Sequence, residues 1–269
     1  MSGIRPKRRW GQNFLNDANI SRKIVAAALD APAPRLVIEI GPGQGALTGM
    51  LLASGDPYLG IEVDPQLADL LTVRFAGEPQ FNLLQEDVLN VDLTRAANPQ
   101  KSTVLAGNIP YNITTPILFH LFDAADHIYH AVLMMQKEVG DRLVAQPNSK
   151  AYGLLAINSQ LFADVERLFT VPASVFSPRP KVDSVVVRLR FKKGVRDQFS
   201  DFDLFRKVIR NCFQQRRKML RKSLSILFPS TLLHKLDANL TLRPEQLTIP
   251  QWIDLTEAIY RHLKEEQSG

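Results

Sequence analysis

Four consecutive residues carry the groups needed to hold a planar base: Asn108, Ile109, Pro110 and Tyr111. The asparagine amide can accept from an exocyclic amine, the proline fixes the local backbone so that neighbouring carbonyls point one way, and the tyrosine ring can stack. An adenine amine suits that set of groups. Taken alone, the four residues also describe a strand that ends in a proline turn.

A second cluster lies upstream. Gly41, Gly43 and Gly45 follow Glu39-Ile40 and run into Ala46-Leu47-Thr48, so the backbone can approach a ligand closely and aim helix amides at an anionic group. The spacing is not GxGxxG, whose third glycine would fall at 46. With no proton-relay histidine near a strand tip, it disfavours a dinucleotide dehydrogenase. Glu62 lies 21 residues beyond Gly41, a distance at which an acid can accept from both ribose hydroxyls. Asp87 ends a third run and can accept from a cofactor's adenine amine while Val88 packs on the ring. Each acid by itself also fits a solvated strand end or a helix cap. Three tips in register, with Asn108 on a fourth, point to one site.

The elements that must position these residues alternate between residues 35 and 135: apolar runs of strand length, then helical segments, the pattern of a parallel sheet covered on both faces. Strands are expected at 36–40, 58–63, 81–85, 103–107 and 131–135, with late strands at 165–171 and 183–191. In the last, Val185, Val187, Leu189 and Phe191 alternate with Ser184, Arg188, Arg190 and Lys192, as one buried face requires, and only Val186 departs. Asp64-Pro65 and Thr115-Pro116 read as N-caps followed by a proline in the first helical turn. After a polar stretch at 192–201 the pattern turns helical without strand runs, which divides the chain into a domain at 1–199 and a small all-α domain at 200–269.

Charge gives the class of partner. The chain of 269 residues carries a net charge of +6, and the excess is clustered. Arg5, Lys7, Arg8 and Arg9 precede any acid, and residues 206–222 hold eight basic residues and none. Such clusters point to a polyanion. No apolar run is long enough to span a bilayer and no signal-peptide core follows the basic start, so a cytoplasmic protein is expected. One cysteine, Cys212, and five histidines without ligand spacing argue against a metal site. Drawn as a single helix over 203–227, the basic segment puts Leu204, Phe205, Val208, Ile209, Cys212, Phe213, Met219 and Leu220 on one arc and Arg206, Arg210, Arg217 and Arg221 on a stripe. Arg216 falls inside the apolar arc. It is either paired across the domain junction or a sign that the helix breaks near Gln214.

The motif series Glu39-x-Gly-x-Gly-x-Gly45, Glu62, Asp87 and Asn108-Ile-Pro-Tyr111 resembles that of S-adenosylmethionine-dependent methyltransferases built on a seven-strand Rossmann-like sheet. Longer segments narrow the likeness: Trp10-Gly-Gln-Asn-Phe-Leu-Asn-Asp17, Asn108 to Pro116, Gln136 to Val139, Pro147 to Gly153 and Phe176 to Ser184 resemble the ribosomal RNA adenine dimethyltransferases. Phe213 to Lys218 followed by Arg221 to Leu224 is similar to the members that act on small-subunit RNA. The resemblance covers nearly the whole chain and implies S-adenosylmethionine as cofactor. It assigns Asn13, Leu15, Gly41, Gly43, Glu62, Asp87, Val88 and Asn108 to the cofactor. Asn108, the Pro110 carbonyl and Tyr111 would hold the target base, with Phe176 as the opposite wall. Arg206, Arg210, Arg217, Lys218, Arg221 and Lys222, together with the basic N-terminal arm, would meet RNA phosphate. The implied substrate is two adjacent adenosines in the 3′-terminal hairpin loop of 16S RNA, in a pre-30S particle, modified by a monomer. Two rivals stand beside it: a 23S RNA methyltransferase of the antibiotic-resistance type, and a non-catalytic assembly or transcription factor of the same fold.

Overall fold

The computed structural model describes residues 6–7 and 10–268. Arg5, Arg8 and Arg9 of the basic arm lie outside the described residues. Among the described residues nine strands form: β1 (Phe14–Leu15), β2 (Arg35–Ile40), β3 (Tyr58–Ile61), β4 (Phe81–Leu84), β5 (Ser102–Asn108), β6 (His130–Gln136), β7 (Ala163–Val171), β8 (Phe176–Ser177) and β9 (Ser184–Phe191). The helices are α1 (Ala18–Ala28), α2 (Thr48–Leu52), α3 (Pro65–Arg74), α4 (Leu93–Ala96), α5 (Thr114–Asp123), α6 (Lys137–Leu143), α7 (Leu154–Phe162), α8 (Phe202–Gln214), α9 (Leu220–Leu224), α10 (Ser230–Lys235) and α11 (Ile249–Ser268).

Seven strands make one sheet in the order β4-β3-β2-β5-β6-β9-β7, and β1 pairs with β8 in a separate two-stranded ribbon. Strands β2 to β6 run parallel, while β9 is antiparallel to both its neighbours. The chain winds outward from β2 through β3 to β4, then returns to place β5 on the other side of β2. That reversal opens a crevice at the carboxyl ends of β2 and β5, where open α/β sheets bind ligands. Gly41 and Asn108 stand at those two ends. The core on one face joins Ile24, Val25 and Ala28 of α1 to Val37, Val104, Val132 and Val186 of four strands.

Two local expectations change. Arg188 is 8% exposed and Val186 fully buried, so β9 is an interior strand covered on both faces rather than half-solvated. Position decides this: β9 lies between β6 and β7, and Arg188 compensates for its burial by pairing with Asp30 at 2.9 Å. Helix α3 starts as expected, with Asp64 accepting from the Gln66 amide. Helix α5 instead begins at Thr114 behind Ile113, which makes no side-chain cap. Thr114 Oγ1 donates back to the Pro110 carbonyl at 3.0 Å, so the turn after the strand, not Thr115, starts the helix.

The chain forms two compact units, residues 1–141 with 162–193, and residues 142–161 with 194–269. The division differs from a cut at 199 because 142–161 belongs with the C-terminal segment. Within that second unit the Asn148 amide donates to the Glu245 carbonyl at 2.8 Å, and Tyr152 meets Phe213 edge-on at 6.3 Å between centroids. The helix drawn over 203–227 is broken. α8 ends at Gln214, and α9 starts at Leu220 after a turn. Arg216 lies in that turn, ion-paired with Glu245 and donating to the carbonyls of Lys150 at 2.7 Å and Ser149 at 3.0 Å. Met219, expected on the apolar arc, is 46% exposed because the break turns it outward. Among the described residues no helix is long and apolar enough to cross a membrane.

Candidate active site

Glycines open the site. Gly41 and Gly43 take φ of +63° and +60°, backbone that side chains other than glycine adopt only under strain. A Cβ on Gly43 would sit 3.4 Å from the Phe14 ring, so this turn and the N-terminal segment are closely packed. Together with the strand tips they line a cleft whose empty space, counted out into open solvent, is about 940 Å³. All ten expected positions from Asn13 to Tyr111 line it: Asn13, Leu15, Gly41, Gly43, Glu62, Asp87, Val88, Asn108, Pro110 and Tyr111. They come from four strand ends and one N-terminal segment, all within the first unit.

Glu62 stands just past β3 and is 4% exposed. Its Oε2 accepts from the Gly43 amide and its Oε1 from the Asp64 amide, each at 2.9 Å, which fixes the carboxylate across the glycine turn. Burial pushes its pKa up, partly countered by these amide bonds. Asp87 caps the short turn Val88–Asn90 through the Leu89 amide at 3.0 Å, so it is a cap and a cleft residue together. Glu39, to which no role attached, lies beneath the glycine turn and is 1% exposed. Thr48 Oγ1 at 2.8 Å and Tyr58 Oη at 2.7 Å both donate to its Oε2, yet burial lifts its pKa to about 7.

At the tip of β5, Asn108 Nδ2 donates to the Asn13 carbonyl at 2.7 Å, which leaves Oδ1 as the amide's acceptor. The Pro110 carbonyl already accepts from the Ile113 amide at 3.2 Å and from Thr114 Oγ1. Both lone pairs of the Pro110 carbonyl, foreseen as an acceptor for the base, therefore serve the turn. Tyr111 Oη shares a hydrogen bond with Ser184 Oγ at 2.5 Å, which holds the ring; burial raises the phenol pKa.

Two expected contacts are placed elsewhere. Phe176 does not line the cleft. It is 4% exposed, pairs with Leu15 across the small ribbon and packs in the core cluster, where its hydrophobic area is better used. Lys7 does not project for phosphate: its ammonium bonds Asp64 at 2.9 Å and sits 4.8 Å from the Trp10 ring centroid. Arg206, Arg210, Arg217, Lys218, Arg221 and Lys222 are all exposed on α8, α9 and the turn between them. Not foreseen were Gln12 as a partner of Asp64 and Ser184 as a partner of Tyr111, since these pairs lie 52 and 73 residues apart in the chain and no local spacing records that.

The donor set suits an adenosine-bearing cofactor: a glycine cradle without Cβ atoms for close approach, then two carboxylates that accept from hydroxyls and an amine. A family model described as "Ribosomal RNA adenine dimethylase" matches residues 3–260. The chain is 41% identical over 255 residues to "Ribosomal RNA small subunit methyltransferase A" of Pseudomonas syringae pv. tomato, covering 95% of each. It is 38% identical over 266 residues to the protein of that name from Hahella chejuensis, covering 99% of this chain and 97% of that one. Among solved structures, a dimethyladenosine transferase from Plasmodium falciparum matches with a TM-score of 0.75 at 25% identity, over 94% of this chain and 98% of that one. The 23S rRNA methyltransferase ErmE matches with a TM-score of 0.65 at 24% identity, over 92% and 100%, a likeness of fold.

Proposed function

The chain belongs to the ribosomal RNA adenine dimethylase family, and on that footing we propose that it methylates N6 of two adjacent adenosines in the 3′-terminal hairpin loop of small-subunit RNA, in a cytoplasmic pre-30S particle, as a monomer. S-adenosylmethionine supplies an electrophilic methyl for in-line displacement, chemistry that needs neither a metal nor a strong base. Gly41 and Gly43 give it room, Leu15 and Val88 give it apolar walls, Glu62 takes its ribose and Asp87 its adenine amine.

The observation that carries the reading is that Asn108, its Nδ2 committed to the Asn13 carbonyl, lines the same cleft as Glu62 and Asp87. The lone pair of an adenine amine is conjugated with the ring and poorly nucleophilic. An acceptor at Asn108 that draws an amine hydrogen out of the ring plane makes that lone pair available, and fixed placement supplies much of the rest. Pro110 keeps the turn rigid, and Tyr111, anchored by Ser184, offers a face to a base lifted from its stack. The exposed cations of α8, α9 and the turn between them suit RNA phosphate, which a basic cluster attracts.

The test is methyl incorporation from labelled S-adenosylmethionine into small and large subunits side by side, followed by mass analysis of the RNA. Dimethyladenosine in the small subunit alone is expected. Label in the large subunit would favour the resistance-type reading. Asn108→Ala is expected to lower turnover by about 10²-fold or more while lowering stability by only about 1 kcal/mol, the worth of its bond to the Asn13 carbonyl; full activity in that variant would sink the assigned mechanism.

A further inference from the structure

Asp64 is more heavily engaged than a helix cap requires. Its side chain is fully buried, and besides the Gln66 amide it accepts Lys7 Nζ at 2.9 Å on Oδ1 and Gln12 Nε2 at 3.1 Å on Oδ2. Lys7 and Gln12 are joined as well, the Lys7 amide donating to Gln12 Oε1 at 2.8 Å. One amide bond is enough to cap α3. The additional partners tie a segment more than 50 residues away in sequence to the tip of β3.

What they tie down is a wall of the cofactor cleft. Trp10 to Leu15 line it from the N-terminal side. Within the Asp64 knot Gly11 turns the chain at a φ of +59°; beyond it the Asn13 carbonyl is held by Asn108, and Phe14–Leu15 pair with Phe176–Ser177. The segment is thus fastened at both ends. The Asp64 amide also donates to Glu62, so the knot and the expected ribose acceptor share one turn. Lys7 is 28% exposed at its side chain, which leaves the ion pair open to ionic strength from one side.

The geometry points to Asp64 as a positioning residue that, through Lys7 and Gln12, holds residues 10–15 against the cleft and thereby sets how long S-adenosylmethionine stays bound. The inference rests on the cofactor assignment above. Asp64 touches no reacting atom. It acts through the segment that does line the cleft, and the pair with Lys7 makes that hold sensitive to salt.

The test uses the full chain with Lys7→Met, which removes the ammonium from a partly exposed position, and Lys7→Arg, which keeps the charge. Without cofactor, hydrogen exchange at the Phe14 and Leu15 amides is expected to quicken about fivefold in Lys7→Met, the equivalent of about 1 kcal/mol for one partly shielded pair. With cofactor, stopped-flow displacement of S-adenosylmethionine should show a similar rise in dissociation rate. The wild-type rate should climb between low and high salt and that of Lys7→Met should not, while Lys7→Arg should behave as wild type. Unchanged exchange in Lys7→Met would overturn the tether itself. Faster exchange with an unchanged dissociation rate would overturn its link to the cofactor. Calorimetry showing that the wild-type protein binds no S-adenosylmethionine would overturn the cofactor assignment and this inference together, recognisable because the exchange arm needs no cofactor.

Discussion

At the scale of single residues, Glu39 shows how a buried carboxyl can be held by good hydrogen bonds and still cost stability. Thr48 and Tyr58 donate to it, but desolvation is the larger effect and its pKa stands near 7 against an ordinary 4.5. The folded state therefore binds a proton more tightly than the unfolded chain. The group's contribution to stability is fully present below about 4.5 and is lost as pH rises through about 7, a total of about 3 kcal/mol at 1.36 kcal/mol per unit. Denaturant titrations at pH 5 and pH 8 should register that fall in wild type, and Glu39→Gln, uncharged throughout, should flatten it. A Glu39→Gln protein with the wild-type slope would place the titration elsewhere. That Gly41, Glu62, Asp87 and Asn108 meet at one cleft was legible at this scale because each sits at or just past a strand end, where local pattern fixes both the element and its last residue. Phe176 was not. A phenylalanine before Ser-Pro has the same local signature in a base pocket as in a core, and only its pairing with Leu15 assigns it to the core.

Elements decide the fate of neighbouring arginines. Arg216 and Arg217 are adjacent, yet the end of α8 at Gln214 turns Arg216 onto Glu245 and two carbonyls while Arg217 is exposed. Arg216→Ala is expected to lower stability by about 2 kcal/mol, read from the denaturation midpoint, since it removes the donor shared by Glu245 and the carbonyls of Lys150 and Ser149. Arg217→Ala should leave that midpoint in place and instead reduce the slope of log RNA affinity against log salt by about 1. The reverse assignment would contradict the broken helix. Seven strands of the sheet were readable from apolar runs, with ends displaced by a residue or two. The alternation in β9 misled because an interior strand in an α/β sheet buries both faces, and an arginine can occupy such a place once an acid such as Asp30 meets it.

For the whole molecule, the chain's path through its two units sets a limit on dissection. Residues 142–161 belong with 194–269 although the sheet resumes between them at β7. A chain ended at 199 would keep every cleft residue but leave Tyr152 and Leu155, 1% and 3% exposed, without the second unit's hydrophobic partners. It is expected to unfold with lower cooperativity and to aggregate, measured by calorimetry and light scattering; a sharp, reversible transition in that fragment would show that 142–161 folds with the first unit. The clustered excess of positive charge was plain from the sequence, since charge needs no fold to be counted. So were the sheet, the glycine turn and the four strand tips, all set by periodicity and spacing within about 30 residues. The tertiary structure alone decided which distant groups close on them: Asn13 on Asn108, Lys7 and Gln12 on Asp64, Tyr111 on Ser184, and Phe176 away from the cleft. Those contacts join residues between 50 and 100 positions apart, where the energy lies in burial and hydrogen-bond geometry that no local pattern of side chains encodes.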